Sequence, residues 1–159
     1  MKNPQKMFSD ILDRIAQESH CTRRKVACIA VRDNRIVATG INGTPKGCIN
    51  CDDYFADKAY HKGFGYYESE EYRKEHHEWS MLEEIHAEQN LVCYAALNNI
   101  CLKDCDIYCS LSPCISCTRL LAALKPKRVF YKEAYDKSDV VYISKYFGKI
   151  GIEFIKLDS

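Results

Sequence analysis

Two short stretches carry residue types that can bind a metal ion and move a proton. The first is His86-Ala87-Glu88, and the second is Pro113-Cys114-Ile115-Ser116-Cys117. One imidazole and two thiolates supply three ligands for a tetrahedral zinc ion, and a catalytic zinc keeps its fourth position open for water. The sequence therefore predicts a zinc site with His86, Cys114 and Cys117 as ligands.

Glu88 follows the histidine by two residues and is the candidate catalytic carboxylate. A bound zinc lowers the pKa of its water from the bulk value toward ~7, so that hydroxide forms at neutral pH. A nearby carboxylate can take a proton from that water, donate it to a ring nitrogen, and assist the departure of ammonia. Hydrolysis at an amidine-like carbon with an exocyclic amine needs these steps, and Glu88 is predicted to act as the proton shuttle.

Each stretch alone has a simpler interpretation. Cys114-x-x-Cys117 fits a redox pair or half of a structural zinc knuckle equally well. His86-Ala87-Glu88 by itself is best explained as an exposed helix start. Their coincidence, with Pro113 directly before the first cysteine and a predicted strand before that, favours the H-x-E…P-C-x-x-C pattern of zinc-dependent deaminases.

Length and charge limit the classes of protein that fit. A chain of 159 residues is expected to form one domain over 1–159 with a core of its own. A formal net charge of +1 gives no strong field for nucleic acid or membrane, and no apolar stretch is long enough to span a bilayer. We therefore expect neither nucleic acid nor a membrane as a partner.

Ten cysteines are many for this length. In a secreted chain they would predict a disulfide framework, but residues 1–10 contain no apolar signal region. We therefore expect a reducing, cytoplasmic compartment (that of the host for a viral chain), with cysteines acting as metal ligands or buried small hydrophobes. A zinc or disulfide role for Cys101 and Cys105 stays open.

Apolar periodicity and turn residues predict an alternation of helices and strands. Helices are predicted over 7–20, 85–98, 114–124 and 139–147, and strands over 26–31, 35–41, 106–111, 127–132 and 152–157. Residues 48–78 lack regular apolar spacing and are predicted to be an irregular insertion. A helix over 68–83 stays open, although its apolar spacing is poor. The expected fold class is α/β, a three-layer α/β/α sandwich with a central mixed sheet of about five strands.

Most of the chain resembles the deoxycytidylate deaminases of the cytidine deaminase superfamily. The matching segments are Ser19-His20-Cys21 through Lys25-Val26, Gly40 to Pro45, Asn50-Cys51-Asp52, Glu78-Trp79-Ser80, Glu84 to Glu88, Leu111 to Cys114, and Tyr135-Asp136-Lys137. This resemblance implies a cytidine deaminase-like fold and hydrolysis of dCMP to dUMP and ammonia, which feeds thymidylate synthesis. It implies substrate contacts from Asn42, Tyr135 and Ser112, besides the zinc ligands and Glu88.

The resemblance also implies a second, structural zinc, as in phage members of the family. The residues at the matching positions are Cys21, Cys51 and His76, with Glu84 as a fourth ligand. Cys48 and His77 lie nearby in the sequence and could take the place of one of these ligands. Such a zinc would tie the insertion to the rest of the fold and offset its ordering entropy.

Regulation and assembly are further expectations from the resemblance. Family members are often hexamers activated by dCTP and inhibited by dTTP, and Mg²⁺ can accompany a triphosphate effector. The loop with Gly43, Thr44, Lys46 and Gly47 is the expected effector contact. A homo-oligomer, with a hexamer favoured, is the expected assembly.

Two other functions compete with this interpretation. The first is another deaminase, acting on cytidine, cytosine, guanine or tRNA adenosine. A tRNA enzyme should have a basic surface, and 23 basic against 22 acidic residues gives it little support. The second is a non-catalytic, zinc-stapled binding module, which would have no use for Glu88.

Overall fold

A five-stranded mixed sheet forms the centre of the protein. The computed structural model describes residues 2–136 and 138–158. The strands are β1 (Ala27–Arg32), β2 (Arg35–Ile41), β3 (Asp106–Leu111), β4 (Arg128–Glu133) and β5 (Glu153–Lys156). Their order is β2-β1-β3-β4-β5; β1 is antiparallel to β2 and β3, whereas β3, β4 and β5 are parallel. The predicted mixed sheet is confirmed.

Helices cover both faces of this sheet. They are α1 (Pro4–Ala16), α2 (Cys51–Lys62), α3 (Glu70–Glu83), α4 (Ala87–Leu97), α5 (Ile115–Leu124) and α6 (Val140–Gly148). Helix α1 packs Phe8 and Leu12 against one face, while α4, α5 and α6 bury Leu91, Leu121 and Ile143 against the other. The α/β/α sandwich is confirmed, with one helix on one face and three on the other. No helix in the described ranges is long and apolar enough to cross a bilayer.

The hairpin between β1 and β2 follows from its turn residues. Asp33 and Asn34 have φ angles of 49° and 58°. Two successive residues with positive φ form the turn that matches the twist of antiparallel strands, and Asp and Asn tolerate this conformation. The turn aligns β2 so that its far end, at Ile41, leads into the loop beside the candidate active site.

The limits of α1 differ from the prediction over 7–20. The helix begins at Pro4 because the side chain of Asn3 accepts a hydrogen bond from the Lys6 amide and caps it. It ends at Ala16, and the residues after it make long-range contacts instead. Ser19 bonds to Asn42, and Cys21 enters a cluster with His76.

The prediction of an irregular insertion over 48–78 is wrong. Helix α2 and most of α3 occupy this region, with a short 3₁₀ turn at Tyr66–Glu68 between them. They enclose a small third core in which Phe55 and Tyr72 pack edge to face. Helix α2 buries Cys51 and Phe55, and α3 buries Tyr72 and His76. Two buried positions in each helix are too few to give a clear apolar stripe in the sequence.

Candidate active site

His86, Cys114 and Cys117 meet at the N-terminal ends of two helices. His86 precedes α4 and Cys114 precedes α5, while Cys117 lies in the first turn of α5. The Nδ1 atom of His86 is 3.6 Å from the Cys114 sulfur and 3.4 Å from the Cys117 sulfur. The predicted ligands are therefore brought together, although Cys114 is an N-cap and not the first helical residue that we predicted.

This donor set fits a tetrahedral zinc. Zn–N distances of ~2.0–2.1 Å and Zn–S distances of ~2.3 Å at tetrahedral angles place nitrogen and sulfur roughly 3.5 Å apart. The three side chains can hold one ion without rearrangement. His86 is exposed and Cys117 is buried, so the open side of the cluster faces solvent, where a substrate can enter.

Hydrogen bonds and helix ends favour a thiolate at Cys114. The pKa of Cys114 is lowered to about 4 by hydrogen bonds from Cys117 and His86, which outweigh its burial. The pKa of Cys117 is raised by its hydrogen bond to Cys114 and by burial, so the two thiols share one proton. The positive ends of α4 and α5 also stabilise negative charge at this point.

Glu88 lies in the first turn of α4 and is 5% exposed. Burial raises the pKa of its carboxyl group, and interactions with His86, Cys114 and Cys117 place it beside the ligand cluster. A carboxyl group that is buried next to a metal site is positioned to exchange protons with whatever the metal binds. The predicted juxtaposition of Glu88 with the ligands is present.

The loop after β2 is joined directly to the strand-like residue before His86. Gly43 and Ile85 exchange two backbone hydrogen bonds, of 3.2 and 2.9 Å. Thr44 has a buried hydroxyl oxygen without a partner among the described residues, whereas Lys46 and Gly47 are exposed. The predicted effector residues thus form one loop, and its first part lies against the candidate active site.

Asn42 connects this loop to the segment after α1. Its side-chain oxygen accepts hydrogen bonds from the Ser19 hydroxyl (2.7 Å) and the Val26 amide (2.8 Å). Its side-chain nitrogen donates to the Arg24 carbonyl at 2.8 Å. Asn42 therefore orders the surrounding backbone, and the sequence did not reveal this role. The contact of Asn42 with the substrate's sugar stays a prediction.

Ser112 attaches a second loop to the site. This buried hydroxyl accepts a hydrogen bond from the Tyr135 amide at 2.8 Å and bonds to Ser138 at 2.9 Å. Ser138 also donates to the Pro113 carbonyl at 3.2 Å. The loop that carries Tyr135 is thereby held next to Cys114. Lys137, the last residue of the matching segment Tyr135-Asp136-Lys137, lies outside the described residues.

Cys21, Cys51, His76 and Glu84 form a second candidate metal cluster. Their ligand atoms all lie within 4.8 Å of one another, and the Nε2 atom of His76 is 3.4 Å from each sulfur. The four residues come from the segment after α1, from α2, from α3 and from its C-cap. The alternatives Cys48 and His77 are exposed and belong to neither cluster.

The side chains of this cluster are suited to binding a cation. Oε1 of Glu84 is buried without a hydrogen-bond partner in the part of the chain that the structure describes. Burial raises the pKa of Glu84 to about 7. The pKa of Cys21 is lowered to about 3 by hydrogen bonds from Cys51 and His76, which outweigh its burial. Thiolate, imidazole and an orphaned carboxylate oxygen are suitable zinc ligands.

Thr22 and Arg24 are the neighbours that sequence reasoning missed. The Thr22 hydroxyl is 3.3 Å from the Cys51 sulfur and 2.6 Å from the Tyr72 hydroxyl, so it orders the second cluster. Arg24 lies over the ring of Tyr135. The resemblance covers this segment from Ser19 to Val26 but assigned no role to either residue, and basic residues such as those after Cys21 usually lie on solvated surfaces.

The fold and the site together define a class of protein. A mixed sheet with a His-Cys-Cys cluster at two helix N-termini, and a buried glutamate beside it, is the arrangement of zinc-dependent deaminases. Residues 1–133 match the family model for the cytidine and deoxycytidylate deaminase zinc-binding region. The chain belongs to this zinc-binding deaminase family.

Individual relatives agree with that membership. The deoxycytidylate deaminase of Enterobacteria phage T4 is 35% identical over 144 residues, which cover 78% of this chain and 75% of the phage protein. That of Schizosaccharomyces pombe is 30% identical over 129 residues, covering 81% of this chain and 37% of the yeast protein. The dCMP deaminase of cyanophage S-TIM5, solved with dCMP and dUMP, superposes with a TM-score of 0.73 at 25% identity over 96% of both chains.

Proposed function

We propose that this enzyme hydrolyses dCMP to dUMP and ammonia. One observation carries the proposal: a His-Cys-Cys cluster beside the buried Glu88 occurs in a chain whose relatives are named deoxycytidylate deaminases. The product would supply thymidylate synthesis. A cytoplasmic location, that of the host for a viral chain, belongs to the same proposal.

His86, Cys114 and Cys117 hold the catalytic zinc in this proposal. When bound, zinc supplies the Lewis acidity that makes water a nucleophile at neutral pH. Glu88 takes one proton from the water and delivers it to the ring nitrogen, and it then moves the second proton of that water from the newly formed hydroxyl group to the departing amine. The burial of Glu88 excludes bulk water from this transfer.

Asn42, Ser112 and Tyr135 position the nucleotide in this proposal. The amide of Asn42 orders the wall of the site through Ser19 and Val26 and faces the sugar. Ser112 holds the backbone of Tyr135, whose ring caps the substrate. Preorganisation of this kind lowers the entropic cost of reaching the reactive geometry.

A substrate screen tests the proposed activity. Release of ammonia is measured with dCMP, dCTP, deoxycytidine, cytosine and a tRNA stem-loop. We expect dCMP to give the highest kcat/KM. Equal or faster turnover of deoxycytidine would instead identify an enzyme that acts on free nucleosides. If a zinc-loaded sample turned over none of these compounds, the alternative of a non-catalytic, zinc-stapled binding module would be favoured.

The same screen tests regulation when it is repeated with dCTP or dTTP and Mg²⁺. In our proposal the loop of Gly43, Thr44, Lys46 and Gly47 contacts the effector, and the chains assemble as a homo-oligomer, with a hexamer favoured. Sigmoidal dCMP kinetics that become hyperbolic with dCTP would support this part. Hyperbolic kinetics that ignore both triphosphates would contradict it without affecting the proposed reaction.

A structural zinc at the second cluster is also part of the proposal. Changing His76 to Ala should reduce the zinc content from two ions to one per chain. The free energy of unfolding should fall by about 4 kcal/mol or more, which is the range that follows loss of a metal site. Metal analysis after mild chelation and chemical denaturation give the two quantities.

His77→Ala is the matched control, since His77 is exposed and adjoins His76 on the same helix. This variant should keep both ions and the stability of the parent chain. A single zinc per chain in a fully loaded parent sample would rule out the second site.

Replacing Ser112 by Ala should loosen the loop that carries Tyr135. The Tyr135 amide loses its acceptor, and an unsatisfied buried donor costs about 1–3 kcal/mol. We expect kcat/KM for dCMP to fall roughly tenfold. Ser69→Ala, which removes a similar bond to the Tyr72 amide at 3.0 Å, should affect stability alone, and equal kinetics for both variants would contradict a role of Ser112 in the site.

A further inference from the structure

Arg24 lies where the predicted nucleotide contacts meet. Its carbonyl accepts the hydrogen bond from Asn42, and its guanidinium lies 5.2 Å from the ring centroid of Tyr135. The same guanidinium donates to the Asp136 carboxylate at 2.7 Å. One cation thus joins the segment after α1 to the loop that carries Tyr135, Asp136 and Ser138, which we call the capping loop. Arg24 and Asp136 are 112 positions apart in the sequence.

The capping loop brings Arg24 close to the candidate catalytic centre. Ser112 holds the backbone of Tyr135 at the end of β3, and Ser138 bonds to the Pro113 carbonyl, after which Cys114 follows directly. In the proposed function Asn42 contacts the sugar and Tyr135 caps the nucleotide, so a residue that contacts both, as Arg24 does, is a candidate to meet the 5′-substituent of that sugar.

A nucleoside monophosphate differs from its nucleoside by one phosphate dianion. Asn42, Ser112 and Tyr135 carry no positive charge and cannot by themselves make that distinction strongly. Guanidinium is the side chain whose planar donors match phosphate oxygens in pairs, and it also stacks on aromatic rings. The Tyr135 ring already orients the guanidinium in this way.

We propose that Arg24 binds the 5′-phosphate of the substrate and so selects the nucleotide over the nucleoside. This inference rests on the proposed deamination of dCMP and assigns the residue that recognises the phosphate. Asp136 holds the guanidinium in place until the phosphate replaces its carboxylate.

The ion pair with Asp136 is weak enough to be exchanged. The side chain of Arg24 is 46% exposed and that of Asp136 is 78% exposed, and exposed pairs contribute little because water screens them. Both residues line a surface cleft of about 490 Å³, which leaves room for a phosphate. Since phosphate and carboxylate are bound by guanidinium with similar geometry, the exchange needs no large rearrangement.

Two other basic residues, Lys25 and Lys132, line the same cleft together with the acids Asp13 and Glu133. Lys25 donates to the carbonyl of Gln17, the C-cap of that helix. Lys132 pairs with Asp13 in the middle of the same helix. Both ammonium groups are thereby engaged with α1, whereas the guanidinium of Arg24 contacts Tyr135 and Asp136 in the capping loop.

Arg24→Gln tests the assignment. The dissociation constants of dCMP and deoxycytidine are measured by calorimetry in a Glu88→Gln background, which prevents turnover, and kcat/KM is measured for both substrates in the otherwise unchanged chain. Loss of one charge-assisted contact should weaken dCMP binding roughly tenfold to a hundredfold. The preference for dCMP over deoxycytidine should fall by the same factor.

Three further variants sharpen the test. Arg24→Lys keeps the charge but not the paired donors and should lie between the parent chain and Arg24→Gln. Asp136→Asn removes the competing carboxylate and should leave dCMP binding equal or tighter. Arg35→Gln, which changes an exposed arginine at the start of β2, should leave the preference unchanged.

The possible failures are distinguishable. If Arg24→Gln weakens the binding of dCMP and of deoxycytidine equally, Arg24 has only a structural role. If the preference for dCMP is lost in Arg23→Gln instead, the neighbouring arginine recognises the phosphate. Either result overturns this inference and leaves the proposed function intact. A parent chain that binds deoxycytidine as tightly as dCMP would overturn the proposed function itself.

Discussion

Replacing Glu88 by Gln is expected to remove nearly all dCMP turnover while the fold and the zinc content stay unchanged. The amide has the same shape but cannot take or donate the proton, and general acid–base catalysis contributes about 10²–10⁴-fold. Because one carboxylate serves several proton transfers in the proposed reaction, we expect a loss at the upper end of this range or beyond. Ammonia release, metal analysis and thermal denaturation measure the three properties.

Glu78→Gln is a suitable control for this substitution. Glu78 is an exposed acid on α3, and its amide variant should retain the parent rate, zinc content and stability. A Glu88→Gln enzyme with parental turnover would refute the assignment of Glu88, and one that loses zinc would show that the carboxyl group acts mainly on the metal site.

Gly40→Ala is expected to damage both stability and catalysis, although Gly40 contacts no substrate in our proposal. A Cβ atom at this position would lie 2.2 Å from the Ala87 carbonyl oxygen and 2.4 Å from the Leu91 nitrogen. Both are backbone atoms of α4, so the whole start of that helix must move. Overpacking costs about 1–3 kcal/mol or more, and the displaced helix carries Glu88 and follows His86.

We therefore expect Gly40→Ala to unfold at lower denaturant and to lose at least tenfold in kcat/KM, since small displacements of catalytic groups have large effects on rate. Gly148→Ala in α6 is the matched control, because a Cβ there meets no described atom within 4 Å. Helical Gly to Ala changes stabilise by roughly 0.5–1 kcal/mol, so this variant should be equal or slightly more stable. Parental activity in Gly40→Ala would show that α4 can shift without consequence.

The grouping of His86, Cys114 and Cys117 beside Glu88 could be predicted because its signal is local. Cys114 and Cys117 are three residues apart, and His86 and Glu88 two, so each pair shares a helix start almost regardless of the rest of the fold. The strands were predictable for a similar reason: β-branched runs and the Asp33-Asn34 turn specify them over a few residues.

The region of α2 and α3 illustrates where local signals fail. Helix α2 buries Cys51 and Phe55, and α3 buries Tyr72 and His76. Hydrophobic periodicity recognises an apolar stripe along one helix. A small core to which each helix contributes two residues does not produce that pattern.

The amino-acid sequence was sufficient to predict the α/β class and the meeting of His86 with Cys114 and Cys117, since these depend on residue type and short spacing. The residues of the second cluster were predicted from the resemblance, because they lie far apart in the chain. Tertiary packing was needed to show that Asn42 orders the backbone around it, that Gly40 lets α4 approach β2, and that Arg24 meets Tyr135 and Asp136. These contacts join residues far apart in the chain, and their energy depends on distances that only the folded backbone sets.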